Sequence, residues 1–196
     1  MNAQVSTGEM VAFATPSERA RLDALRRYDI LDTPPDGNFD HVTALAAGLF
    51  SAPIAIVSLV AEDRIWFKSH HGMDVQQIHR SPGLCVSAIL GDGPYVVANA
   101  KHDRRTLANP LVAGTFGLQF YAAVPLRNHD GYNLGTLCVI DHEPRAVSDT
   151  EIAKLEKLAT VVMDKMELRL SGATRSPASN MRCIAPKCSA AKSITA

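Results

Sequence analysis

The most reactive side chains in this 196-residue chain are four cysteines and seven histidines, and their spacing limits what they can do. Zinc sites draw ligands at regular short spacings. Neither His70-His71 nor the pair Cys183 and Cys188 completes such a set, and His41, His79, His102, His129 and His142 are scattered. No metal is therefore expected. Cys85 has several open uses: nucleophile, chromophore attachment point, redox switch, or a small buried hydrophobe on a short helix. Cys138 lies far from it in sequence, yet disulfide exchange needs only two thiols within reach. The only tryptophan, Trp66, stands between Arg64 and Lys68; an indole offers an apolar wall with one N–H donor, and a nearby ammonium favours a carboxylate-bearing ligand. Asp103 and Asn109 could orient a ligand, or serve as loop caps near proline.

Composition sets the frame for these groups. With 46% hydrophobic and 20% charged residues, the chain has the length and core content of about one domain. The longest apolar run, from Pro53 to Ala61, is far short of the roughly 20 residues of a membrane-crossing helix. The start, MNAQVSTGEM, has no basic segment leading into an apolar one, so no secretory signal is expected and the cytoplasm is the default location. Net charge is zero, but residues 1–170 hold 16 Lys+Arg against 20 Asp+Glu, while residues 171–196 hold four basic residues and no acid. A mildly acidic body is a poor nucleic-acid binder. Free thiols in a reducing compartment fit the sparse cysteines.

The elements that must position the candidate groups follow from periodicity. Thr15-Pro16-Ser17-Glu18 reads as a capping box opening a helix over 16–31, with Leu22, Leu25 and Tyr28 on one stripe, ended by Pro34-Pro35. Phe39, Val42, Leu45, Ala46 and Leu49 predict a second helix. Ser148-Asp149-Thr150-Glu151 caps a third, whose Ile152, Leu155, Ala159, Val162, Met166 and Leu170 run for about six turns. Between them the period changes to two. Residues 53–60 and 64–68 read as a hairpin across Ala61-Glu62-Asp63, and 119–126 pairs with 134–141 across Asn128–Gly131, with a short strand at 95–98. The expected domain spans 15–170, with a flexible N-terminus over 1–14 and a disordered basic tail over 171–196.

Strand alternation divides these residues between two faces. One set, Ala55, Val57, Leu59, Ile65, Phe67, Phe120, Ala122, Val124, Leu126, Leu137 and Val139, is wholly apolar and is expected beneath the helices. The other, Ile54, Ile56, Ser58, Arg64, Trp66, Lys68, Gln119, Tyr121, Ala123, Leu134, Thr136 and Cys138, mixes apolar walls with polar groups. Covered by the irregular 72–117 stretch, it reads as a small-molecule pocket. The expected ligand-binding residues are Ser58, Trp66, Lys68, Cys85, Ser87, Asp103, Asn109, Tyr121, Thr136 and Cys138, with no catalytic residue and no identified cofactor.

A set of strings in register carries a resemblance: Arg21–Leu25 with Tyr28–Asp36, Phe39-Asp40, Pro53–Val60, Asp63–Ser69, Cys85–Ile89, Asn109–Val112, Phe120–Ala122 and Leu134–Asp141. Over about residues 17–170 the chain resembles the GAF domains of bacterial signalling proteins. The resemblance implies an α+β fold, an antiparallel sheet of five or six strands with terminal helices on one face and a ligand pocket on the other. It also implies an input module for histidine kinases or cyclic-dinucleotide enzymes. Where many relatives have a histidine two places after the cysteine, this chain has Ser87; Asn99 and Gln119 likewise replace a common Asp and Arg. Bilin-binding relatives attach through a cysteine followed by histidine, whereas Val86 follows Cys85.

The expected function is a stand-alone, non-enzymatic cytoplasmic sensor. It binds an unidentified small molecule and relays occupancy through its terminal helices, as a homodimer pairing through 149–170, to a separate kinase or cyclase. Val161, Met163 and Leu168 lie partly off the main helical stripe and leave surface for that pairing. The alternatives are a thiol redox enzyme or switch using Cys85 and Cys138, similar to free methionine sulfoxide reductase, and a ligand-free interaction scaffold.

Overall fold

The computed structural model describes residues 16–81 and 83–173. The expected N-terminal segment, the Thr15 cap, Cys183 and Cys188, and the expected tail beyond residue 173 lie outside the described residues. Six strands form one antiparallel sheet in the order β3-β2-β1-β6-β5-β4, within the five or six strands that the resemblance implies; the short β3 is additional to the five strands read from alternation. They are β1 (Ile54–Val60), β2 (Arg64–His71), β3 (Gln77–His79), β4 (Tyr95–Val97), β5 (Phe120–Arg127) and β6 (Asn133–Asp141). The helices α1 (Pro16–Arg27), α2 (Gly37–Phe50) and α5 (Asp149–Ala173) cover one face; short helices α3 (Leu84–Ala88) and α4 (Pro110–Ala113) sit in the long irregular stretch over the other.

Local chemistry explains where the helices begin. Asp36 caps α2 by accepting from the Asn38 amide at 3.0 Å. The predicted capping box of α5 is formed, with the Ser148 amide donating to Glu151 at 2.8 Å and the Glu151 amide to Ser148 Oγ at 3.3 Å. α5 runs three residues further than its sequence stripe, into the segment assigned to the tail. α1 stops at Arg27, because Asp29 and Asp32 take positive φ before the prolines.

Two apolar layers sandwich the sheet. Phe39, Val42, Ala46, Phe120, Leu137 and Leu155 are among the residues packed on the α1/α2/α5 side. Leu45 and Leu49 of α2, predicted to share that stripe, are exposed instead; Thr43, Ala47 and Phe50 take the buried positions. On α5, Val161 and Leu168 are exposed, whereas Met163 belongs to the core.

The face assignment holds for β1 and β5 but inverts on β2. The Ala61 amide donates to the Arg64 carbonyl at 2.8 Å, so the hairpin turn is the two-residue Glu62-Asp63, not three residues. Leu59 then pairs with Trp66 and Val60 with Ile65, which places Trp66 beneath the helices and Ile65 and Phe67 on the opposite side. A bulge follows, since Ser58 opposes Phe67 while Val57 opposes Ser69, leaving Lys68 as the extra residue. A second bulge near Arg127 carries Leu134 to the helix side, against its alternation.

Candidate functional site

On the sheet face opposite α1, α2 and α5 lies a cavity of about 240 Å³. β1 and β6 form its floor, with Ile56, Cys138 and Ile140; β2 adds Phe67 and β5 Tyr121. α3 contributes Leu84 and Cys85, α4 contributes Leu111, and the connecting loops close it with Met73, Val75 and Phe116. α4 is held in place by Asn109, whose side chain accepts from the Leu111 amide at 2.9 Å. The wall is almost wholly apolar, not the half-polar surface the alternation predicts, because the inversion of β2 removes its charges from this side.

The polar groups that remain are gathered at one point. The Tyr121 hydroxyl donates to Cys85 Sγ at 3.3 Å. Beside them Ser58 and Thr136, fully buried and directly opposed across β1 and β6, exchange a hydroxyl contact at 2.8 Å. Gly135 permits that approach, since a Cβ there would stand 1.9 Å from the Ser58 carbonyl oxygen. Cys85 and Cys138 are both free and buried, and both line this cavity. The neighbouring Cys138 thiol lowers Cys85 to about 6; burial opposes the shift, and the Ser58, Tyr121 and Thr136 hydroxyls assist it. Cys138 moves the other way, raised by the neighbouring Cys85 and by burial. Burial, and then the charge of Cys85, also raise Tyr121, so the Tyr121 hydroxyl stays protonated as the donor to the Cys85 sulfur.

Of the sequence-predicted site residues, the structure brings together Ser58, Cys85, Tyr121, Thr136 and Cys138. Asn109 positions the wall without lining it. Four others stand elsewhere. Trp66 and Lys68 lie on the helix side, where the Lys68 ammonium donates to Thr33 Oγ1 at 2.9 Å and the Pro34 carbonyl at 2.8 Å, above the Phe39 and Trp66 rings. Burial lowers the Lys68 pKa, helped by the charge of Arg169. Ser87 points to solvent from α3. Asp103 binds Arg105, at 2.6 Å to Nη2, and that guanidinium covers the Tyr95 ring and donates to the Val96 carbonyl at 2.7 Å. Among the described residues no cluster of three or more His, Cys, Asp and Glu side chains could hold a metal.

A charged clamp joins the segment leading into α3 to α1. Glu18 of α1 accepts from Arg21 at 2.7 and 2.8 Å and from Arg80 at 2.6 Å. Arg80 also donates to the Ala61 and Glu62 carbonyls, and its own carbonyl accepts from the Gly83 amide at the start of α3. Burial would raise the Glu18 carboxyl, but the bonds and charges of Arg21 and Arg80 outweigh it and hold the group below its usual value. The sequence reading assigned Glu18 to a cap and did not single out Arg80.

Comparison with known proteins agrees with this architecture. The family model described as GAF domain matches residues 34–164. A cyclic di-GMP phosphodiesterase of Pseudomonas aeruginosa is 38% identical over 158 residues, covering 78% of this chain but 27% of its own length, so the chain spans about a quarter of that relative. Among solved structures, the GAF domain of an Acinetobacter phosphoenolpyruvate-protein phosphotransferase superposes with a TM-score of 0.54 at 19% identity, covering 79% of this chain and 95% of that one. The free methionine-R-sulfoxide reductase of Neisseria meningitidis, solved with its substrate, gives 0.57 at 19% identity, covering 79% and 90%. At these identities the structural matches establish the fold alone.

Proposed function

Because this chain belongs to the GAF domain family, whose members are sensory modules, we propose that it is a non-enzymatic cytoplasmic sensor for a small apolar molecule held between the sheet and α3/α4. The observation that carries this reading is the apolar cavity itself, set on the face away from the long terminal helices. Its volume corresponds to a ligand below the roughly 300 Å³ of typical drug-sized sites. A carboxylate-bearing ligand recognised by Lys68 is no longer favoured, since Lys68 is committed to Thr33 and Pro34 on the other face.

The signal has a physical route. A ligand touching Leu84 and Cys85 shifts α3, and the segment entering α3 is tied through Arg80 to Glu18 and Arg21 of α1. Pairing of two copies through the exposed Val161 and Leu168 of α5 would carry the change to a separate kinase or cyclase. The similarity to a cyclic di-GMP phosphodiesterase supports a place in cyclic-dinucleotide signalling. Among the described residues no helix is long and apolar enough to cross a membrane.

The test is a thermal-shift screen of small apolar compounds against the parent and Leu111→Trp, which fills the cavity from α4. Compounds that raise the parent's Tm and leave the variant's unchanged support the reading. A screen in which no compound distinguishes the two overturns it.

A further inference from the structure

We infer that Cys85 and Cys138 form a thiol switch that is oxidised to a disulfide by small organic hydroperoxides entering the apolar cavity. The inference rests on the cavity admitting a small apolar molecule, and it adds what that molecule does there. Two cysteines from separate elements, α3 and β6, are free, buried, and line one cavity. Their surroundings are built for one sulfur to react and the other to follow. Cys85 receives the Tyr121 hydroxyl at 3.3 Å, and the Ser58–Thr136 hydroxyl pair lies one side-chain repeat along β6 from Cys138. Among the described residues no carboxylate lines the cavity to repel a developing thiolate.

The walls select the oxidant. Ile56, Phe67, Leu84, Leu111 and Ile140 offer contact to a hydrocarbon tail and nothing to a charged or strongly hydrated species. The polar end of such a molecule meets the Cys85 sulfur and the Tyr121 hydroxyl. Cys85, having released its proton, attacks the terminal oxygen of R–O–O–H. An S–O bond forms and the O–O bond breaks, giving a Cys85 sulfenic acid and an alkoxide that regains the released proton to become ROH. Cys138 then gives up its proton and attacks the Cys85 sulfur; the S–S bond forms and the sulfenic hydroxyl leaves with that proton as water. Two thiols are oxidised and one hydroperoxide is reduced to an alcohol and water. The bond ties α3 to the central strand β6, and through Arg80 it alters the clamp on α1.

The experiment uses the full chain with Cys183 and Cys188 replaced by Ser, so that only the cavity pair can react. Cumene hydroperoxide is the probe, with intact mass and thiol labelling as readouts. Both thiols are expected to disappear with loss of two hydrogens, faster than with hydrogen peroxide at equal concentration. Cys138→Ser should stop at a sulfenic acid on Cys85 that dimedone captures, and Cys85→Ser should form neither product. Tyr121→Phe, which keeps the buried ring, should slow the first step about tenfold. Cumyl alcohol, which cannot oxidise a thiol, separates this inference from the cavity reading. If it raises the Tm while cumene hydroperoxide leaves both thiols reduced, the switch is refuted and the cavity reading stands. If neither compound acts, both fall for this ligand class. First oxidation on Cys138, or an equal rate in urea-unfolded protein, also refutes the switch.

Discussion

Glu18→Ala tests the clamp that links the cavity segment to α1. The substitution removes two bonds to Arg21 and one to Arg80, all between opposite charges. Arg21 is only 6% exposed, and its Nη1 atom has no partner among the described residues, so losing Glu18 strands a buried cation. Removing one member of a buried pair costs about 3–5 kcal/mol. The lower end applies here because the Arg80 side chain is 26% exposed and keeps the Ala61 and Glu62 carbonyls. A loss of about 3 kcal/mol at pH 7 is therefore expected in urea unfolding. Glu18→Leu combined with Arg21→Met should lose less than Glu18→Ala, since it leaves no unpaired Arg21 charge. The pH dependence has a defined sign. The folded-state carboxyl lies below its unfolded value, so its contribution is complete above the ordinary glutamate range and fades as pH falls through the folded value. The gap between parent and Glu18→Ala should narrow below about pH 4. A cost under about 1 kcal/mol, or a gap that stays constant down to about pH 3, would refute the assignment of Arg21 and Arg80 to Glu18.

Two further outcomes follow from the faces of the sheet and the helices. Lys68→Met should leave the affinity for a cavity ligand unchanged while costing about 1–3 kcal/mol of stability, because Thr33 and Pro34 lose a buried donor; isothermal titration calorimetry of the ligand, together with urea unfolding, checks both. A ligand that shifts Trp66 emission strongly and loses affinity in Lys68→Met would place both residues back at the cavity. For the oligomer, Val161→Glu with Leu168→Glu should convert a dimer to a monomer in sedimentation velocity, with stability changed by no more than about 0.5 kcal/mol since both side chains are exposed; a parent that is monomeric at every concentration refutes the pairing.

Much of the architecture was legible because apolar spacing is strong in the long elements. α5 shows its main stripe and capping box, and β1, β5 and β6 beyond the bulge at Leu134 alternate cleanly. β6 pairs on both sides without irregularity from Thr136 to Ile140, so the parity of Cys138 is fixed by its two neighbours. That is why the cavity floor and one of its thiols could be placed from pattern alone. Cys85 joined the candidates through its chemistry, and α3 happens to deliver it to the same point.

What escaped the sequence depends on single residues or distant pairs. β2 is flanked by turns, and one residue more or less in its hairpin reverses every side chain. Its own pattern could not decide, because Ile65, Trp66 and Phe67 are all apolar and any of them suits either layer. The bond from the Ala61 amide to the Arg64 carbonyl decides it, and with it the chemistry of the cavity: a three-residue turn would have put an ammonium and an indole against the ligand, whereas the two-residue turn supplies Phe67. The clamp was hidden for a different reason. Glu18 lies 62 positions from Arg80, and a glutamate in the first turn of a helix has an adequate local use at its own N-terminus. Only the fold shows that its charge is used across the molecule, where the entry to α3 meets α1.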